Sequence, residues 1–297
     1  MSNGETGMSP DARDLAMVAR SVRAAGSSFY WAMRLMDRER RAGLYAIYDF
    51  CRAVDDIADG PLPPQERKAA LAAWRRRIDR LYAEGRAAAE DARDRLILAA
   101  IDRYGLVRED FLAVIDGMEM DADGPIRAPD PATLDLYCDR VASAVGRLCV
   151  RVFGAPMEEG RRLAHHQGRA LQLTNIIRDV EEDAAMGRLY LPAPLLEDAG
   201  IDGHDPLEVA RHPRLVEVRH ALGAVAEREF AEARAALASC SSGDMRPARI
   251  MMAVYEDIFR AMKARDFTPS REGPLARRLA KLGKIMTALA IAIGRRR

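Results

Sequence analysis

This chain has no clear excess of charge of either sign. Its 46 Lys and Arg face 45 Asp and Glu, a formal net charge of +1 over 297 residues. A nucleic-acid-binding surface usually carries a basic surplus, so no nucleic-acid partner is expected. The four cysteines, Cys51, Cys138, Cys149 and Cys240, show no C-x-x-C pairing. All four fall in segments that read as helices, which suits a reduced, cytoplasmic protein. No apolar run approaches the roughly eighteen residues of a membrane span. The polar N-terminus lacks the apolar stretch of a signal peptide. A G-x-G-x-x-G after a strand-like run is also missing, so a Rossmann nucleotide site has no support. The five histidines, His165, His166, His204, His212 and His220, are not spaced as a ligand set.

Alternating apolar and polar runs, the mark of half-buried strands, are absent too. Ala, Leu, Arg, Glu and Met dominate, and apolar residues recur at spacings of three and four. The pattern predicts helices over 11–25, 38–59, 65–84, 88–104, 108–121, 131–153, 157–185, 214–239, 246–265 and 275–292. Proline and glycine clusters punctuate them, as at Pro61 to Pro64, Pro125 to Pro131, Pro192 to Pro194 and Pro269 to Pro274. The linkers are short, none is low in complexity, and no repeat of fixed period appears. The expectation is one all-α domain over 1–297, with 1–10 disordered and a basic C-terminal helix over 275–297.

Two acidic segments stand out. The first is Asp55-Asp56-Ile57-Ala58-Asp59, the second runs from Gln172 to Asp183. Residues four apart share a helix face, so Asp55 projects with Asp59. At about 100° per residue, Gln172, Asn175, Asp179 and Asp183 fall in one narrow stripe. Like charges four apart weaken a helix, which raises the prospect of a cation between them. An oxygen-only donor set suits a hard ion, and Mg²⁺ takes few carboxylates while keeping room for phosphate oxygens. A solvated polar face is the ordinary use of any one such stripe; two of the same chemistry in one helical chain point to a diphosphate-binding metal site. Arg52, three residues before Asp55, is either a helical salt bridge worth a few tenths of a kcal/mol or a guanidinium that grips phosphate. Ala142, Ser143, Ala144 and Gly146 are small residues in a predicted helix, suited to close packing or to making room for an apolar tail. Met118 and Met120 read as core or wall.

Five stretches carry a resemblance: G-S-S-F-Y-W-A-M-R-L (26–35), A-I-Y-D-F-C-R-A-V-D-D-I-A-D (46–59), Y-C-D-R-V-A-S-A-V-G (137–146), G-R-A-L-Q-L-T-N-I-I-R-D-V-E-E-D (168–183) and G-R-L-Y-L-P (187–192). In this order they resemble the squalene and phytoene synthase family, the head-to-head trans-isoprenyl diphosphate synthases. The opening G-S-S-F-Y-W most resembles the bacterial branch that makes presqualene diphosphate for hopanoids. The resemblance implies a terpenoid-synthase-type helical bundle around a central pocket, and a Mg²⁺-dependent condensation of two farnesyl diphosphates. It places Asp55, Asp59, Asn175, Asp179 and Asp183 at metal positions, and Arg52, Arg178 and Arg188 at diphosphate positions. Ser28 and Phe29 match a pair that meets a substrate diphosphate. Tyr48, Tyr190 and Tyr255 fall at tyrosines near the same site, and Gln172 at a polar position of the pocket wall. Tyr137 matches a tyrosine that steers proton removal. Arg271 stands near a late phosphate-binding arginine, but its surroundings fit that pattern poorly.

Related outcomes on such a site are squalene, dehydrosqualene, phytoene or hydroxysqualene synthesis. A non-catalytic helical assembly subunit is a different class, and both intact acidic sets argue against it. The C-terminal stretch from Arg277 to Arg297 is basic at both ends with a short apolar middle. It suits a terminal helix packed on the core, or a peripheral contact with anionic lipid at the inner membrane face. Downstream isoprenoid enzymes are natural partners for so apolar a product.

Overall fold

The computed structural model describes residues 11–24, 28–122 and 124–268, with the side chains of Ser21, Ala24, Ser28 and Trp31 outside that description. Helices α1 (Ala12–Ala24), α2 (Ser28–Arg34), α3 (Arg38–Asp59), α4 (Pro64–Glu84), α5 (Ala92–Tyr104) and α6 (Arg108–Ala122) form the first half. The second half holds α7 (Pro131–Cys138), α8 (Ala144–Phe153), α9 (Met157–Arg178), α10 (Val180–Ala185), α11 (Ala193–Asp198), α12 (Pro206–Ala210), α13 (Leu215–Ser239) and α14 (Arg246–Ala264). The only extended pairing among the described residues is an isolated parallel bridge between Arg127 and Leu189. The expected all-α architecture is therefore what the chain adopts.

The two long helices that carry the acidic sets begin and end for local reasons. The Asp37 carboxylate caps α3 by accepting from the Arg40 N–H at 2.9 Å. Leu44, Ile47, Phe50, Val54 and Ala58 then recur along its buried face. Prolines follow Gly60 and end the helix. Helix α9 starts after Pro156, buries Leu163, Ala164, Ala170, Leu173, Ile176 and Ile177, and packs chiefly against α13 and α8. Helix α8 also packs on α3, so it stands between the two acidic helices. One continuous apolar core links residues from Val18 to Phe267.

Two predicted helices are interrupted. The span 131–153 contains a wider π turn at Asp139–Ser143 between α7 and α8. Glycines admit it on both sides. A Cβ on Gly117 would sit 2.7 Å from Val141 Cγ1, and one on Gly168 would sit 2.7 Å from the Ser143 backbone. The span 157–185 bends at Asp179, whose ψ of 14° separates α9 from α10. The bonds from Asp179 N–H to Asn175 C=O (2.9 Å) and from Asp183 N–H to Asp179 C=O (2.8 Å) survive the bend. Asn175, Asp179 and Asp183 therefore keep helical neighbourhood.

After α10 the chain turns at Gly187, with a φ of 78° that favours glycine. The Arg188 N–H donates to the Asp183 carbonyl at 2.9 Å and the Gly187 N–H to that of Ala184 at 3.0 Å. This is a Schellman ending, and it ties the Arg188 backbone to the turn bearing Asp183. The bridge at Leu189 then holds this segment to Ile126 and Ala128, each through a 2.8 Å bond.

Candidate active site

Arg188 is where the two acidic sets meet. Its guanidinium donates to Asp59 at 2.8 Å and stands 4.0 Å from Asp121. The charge of Arg188 also acts on Asp55 and Asp183. Only 12% of its side chain is exposed, and nearby tyrosine and carboxylates raise its pKa although burial opposes its charge. Arg52 donates to Asp55 at 2.7 Å and to Asp56 at 2.5 Å. Arg178 grips Asp179 with bonds of 2.7 and 2.5 Å. Burial works against the charge of Arg178, but Asp179 and the neighbouring Tyr255 raise its pKa. Each predicted diphosphate arginine thus pairs with a predicted metal carboxylate.

The carboxylates crowd one another. Removal from water, then the charges of Asp59 and Asp56, push Asp55 up to about 6 while Arg52 and Arg188 pull it down. Water still screens part of this, since 38% of the Asp55 side chain is exposed. Asp183 is pushed up to about 7 by burial and by Asp179, Asp121 and Glu182. A cation placed among these groups would relieve the repulsion.

One further residue belongs to this site that sequence spacing does not single out. Asp121, near the C-terminal end of α6, is buried. Its Oδ2 accepts from the Tyr137 hydroxyl at 3.0 Å and its Oδ1 from the Tyr190 hydroxyl at 2.7 Å. The two rings stack with centroids 4.8 Å apart and planes at 19°. Burial raises the Asp121 carboxyl, offset by Tyr190, Arg188 and Tyr137. Burial and the adjacent carboxylate also hold the Tyr137 phenol well above its ordinary value. The readable signal was an acid on the buried face of α6, in line with Phe111, Val114, Ile115 and Met118.

Beside this charged region lies an apolar cleft of about 790 Å³, part of it open to solvent. Gln172, Asn175, Tyr255 and Phe29 stand among its lining, so four more predicted residues share one space. Val141, Gly146, Cys149, Phe153 and Met251 give it apolar walls. Of the small residues in the predicted helix, Ala142 and Gly146 line the cleft. Ser143 and Ala144 are fully buried in packing. Each reading of that stretch therefore holds for part of it. Met118 is core. Tyr48 is half-buried against the core. Ser28 opens α2, its side chain lying outside the description, and Arg271 and the basic C-terminus lie outside the described residues.

Acidic helices joined through arginines, next to an apolar cleft, define a prenyltransferase. The chain belongs to the squalene/phytoene synthase family, whose pattern it matches over residues 22–282. It is 48% identical over 270 residues to a presqualene diphosphate synthase of Rhodopseudomonas palustris, covering 91% of this chain and 94% of the relative. A presqualene diphosphate synthase of Sinorhizobium fredii is 49% identical over 84% of this chain and 88% of its own length. Among solved structures, squalene synthase of Alicyclobacillus acidocaldarius superimposes with a TM-score of 0.78 at 26% identity, covering 87% of this chain and 96% of that one.

A divalent metal belongs to the chemistry of this family. The residues fit one, although among the described residues no three His, Cys, Asp or Glu side chains gather into a ready-made cluster. The Asn175 Oδ1 is buried with no hydrogen-bond partner, an oxygen donor in line with Asp179. The raised carboxyls of Asp55 and Asp183 mark where positive charge is wanted. No helix among the described residues is long and apolar enough to cross a membrane.

Proposed function

We propose that this chain condenses two molecules of farnesyl diphosphate head to head into presqualene diphosphate, releasing one diphosphate, with Mg²⁺ as its metal. The observation that carries this reading is the Arg188 junction of the two acidic sets beside an apolar cleft. The relatives named presqualene diphosphate synthase support the choice of product.

Asp55 and Asp59 would hold metal from α3, and Asn175, Asp179 and Asp183 from α9 and α10. When bound, the metal supplies positive charge to the leaving diphosphate. Arg52, Arg178 and Arg188 add charge-assisted hydrogen bonds to the same oxygens. Ser28, Phe29, Tyr48, Gln172, Tyr190 and Tyr255 contact the substrates around them. The carbocation left behind must be kept from water, a task for the apolar walls formed by Val141, Gly146, Cys149, Phe153 and Met251. Carbon–carbon bond formation then joins the two prenyl chains. Loss of a proton toward Tyr137 closes the cyclopropane, and the second diphosphate stays attached.

The test is product analysis by mass spectrometry with farnesyl diphosphate and Mg²⁺, without and then with NADPH. Presqualene diphosphate in both reactions is expected. Squalene accumulating only when NADPH is present would overturn the assignment, and phytoene from a C20 substrate would move the chain to the carotenoid branch. The basic stretch 275–297 would bring the enzyme to anionic lipid, where apolar product can be passed to a later isoprenoid enzyme. Co-sedimentation with phosphatidylglycerol vesicles should be lost in a chain ending at 274; unchanged binding would dismiss that contact.

A further inference from the structure

Asp121 is costly where it stands. Only 6% of its side chain is exposed, and desolvating a carboxylate is unfavourable unless it is well paired. It also lies at the C-terminal end of α6, where the helix dipole disfavours negative charge. Its partners are two neutral phenols, with Arg188 no nearer than 4.0 Å. Stability alone gives little reason for a carboxylate here. Its effect on its neighbours is specific. A phenol has one proton to donate, and Tyr137 spends that proton on Asp121 Oδ2. The Tyr137 oxygen keeps lone pairs that can accept, with the Tyr190 hydroxyl beside it.

We propose that Asp121 is a positioning residue that fixes Tyr137 as a proton acceptor and takes up the phenolic proton as Tyr137 receives one from the substrate. This rests on the reaction given above. As the ring closes, the C–H electron pair becomes the third carbon–carbon bond of the cyclopropane. The released proton passes to the Tyr137 oxygen. The original phenolic proton crosses the 3.0 Å bond to Asp121 Oδ2, so Tyr137 ends neutral and Asp121 ends as a carboxylic acid. Oδ1 keeps the Tyr190 hydrogen bond throughout. The acid returns its proton to water or to the departing diphosphate before the next cycle. The upward shift of the Asp121 carboxyl suits a group that must be protonated in passing. The equally upward shift of Tyr137 means that the phenol needs such an outlet.

The experiment compares released diphosphate with presqualene diphosphate formed, for the parent, Asp121→Asn and Tyr137→Phe. The parent should give one of each. In both variants presqualene diphosphate should fall on the order of 10²-fold, the scale of lost acid–base catalysis. Diphosphate release should fall less than about tenfold, the difference appearing as farnesol and elimination products. The double variant should be no worse than the worse single, since the two groups act as one unit. A parallel loss of both products at an unchanged ratio, or additive effects in the double variant, would overturn the proposal. So would a parent whose partition between presqualene diphosphate and the farnesol and elimination products is the same in H₂O and D₂O, a measurement that needs no variant to fold and that a slow earlier ionisation does not mask. A parent that makes no presqualene diphosphate at all refutes the assigned reaction instead, and the first lane of the assay shows it.

Discussion

Replacing Asp59 by asparagine keeps the shape of the side chain and removes the charge that holds Arg188 at 2.8 Å. Half of the Asp59 side chain is exposed, so its loss should cost the fold little. The same change at Asp179 releases Arg178. Either substitution should lower Mg²⁺-dependent turnover by about 10²–10³-fold, the usual scale for one preorganised charge stabiliser, with a melting temperature close to the parent's. Steady-state assays at saturating Mg²⁺ beside a thermal melt check this; full activity would remove the residue from the site. Arg188→Lys is a sharper probe. Lysine is a point charge without the planar fork, and it cannot serve Asp59, the vicinity of Asp121 and a diphosphate together. Its kcat/KM for farnesyl diphosphate should drop by at least about tenfold, and Arg52→Lys should fall in the same direction. Parent-like kinetics in both lysine variants would reduce these arginines to salt bridges.

The π turn at Asp139–Ser143 depends on the absence of two side chains. Gly168→Ala would place a methyl 2.7 Å from the Ser143 backbone, and backbone cannot swing aside as a long side chain can. Overpacking of this kind costs about 1–3 kcal/mol, so a clear fall in melting temperature is expected. The displaced turn carries Val141 and Ala142 of the cleft wall, so turnover of the folded fraction should fall as well; an unchanged melt would show that the helices can part freely. Such a wedge cannot be read from sequence, because Gly117 and Gly168 meet the turn only in three dimensions. What spacing does reveal is a residue's own helix face. It brings out Asp55 with Asp59, and Asn175 with Asp179 and Asp183. It did not reveal Asp121, whose partners Tyr137 and Tyr190 come from two other segments. The helices α11 and α12, with 6 and 5 residues, are too short to show a period. The bend at Asp179 hides inside an unbroken helical pattern because its hydrogen bonds survive. Only the family motifs suggest roles for Tyr137, Tyr190 and Tyr255; as lone aromatics, Tyr137 and Tyr255 look like half-buried core.

Across the whole molecule, Asp55 and Asp183 make stability depend on pH. Their pKa values, about 6 and about 7, lie above the ordinary 3.8. Between those values the folded chain binds more protons than the unfolded one, so the stability of the metal-free protein falls as pH rises. Melts of metal-free protein should therefore be lower at pH 8 than at pH 5, and the drop should shrink in the Asp55→Asn/Asp183→Asn variant. If Asp55 and Asp183 hold Mg²⁺ as proposed, it binds them ionised, so its stabilising effect should be larger at pH 8 than at pH 5.5. A pH-independent gain would mean that these two groups do not meet the ion.

The three arginine–carboxylate pairs have a consequence for the order in which ligands arrive. Arg52 with Asp55, Arg178 with Asp179 and Arg188 with Asp59 each join one group suited to a cation and one suited to an anion. A metal arriving alone must pull carboxylates away from arginines that gain nothing in return. A diphosphate arriving alone must strip arginines from carboxylates that are then left to repel one another. When both arrive, every charge changes partner and none is abandoned. The two affinities are then linked, and linkage is reciprocal. On the reading proposed above, the factor by which the metal tightens the protein's hold on diphosphate equals the factor by which diphosphate tightens its hold on the metal. A protein built this way should be a poor scavenger of either ion and a selective receptor for the two together.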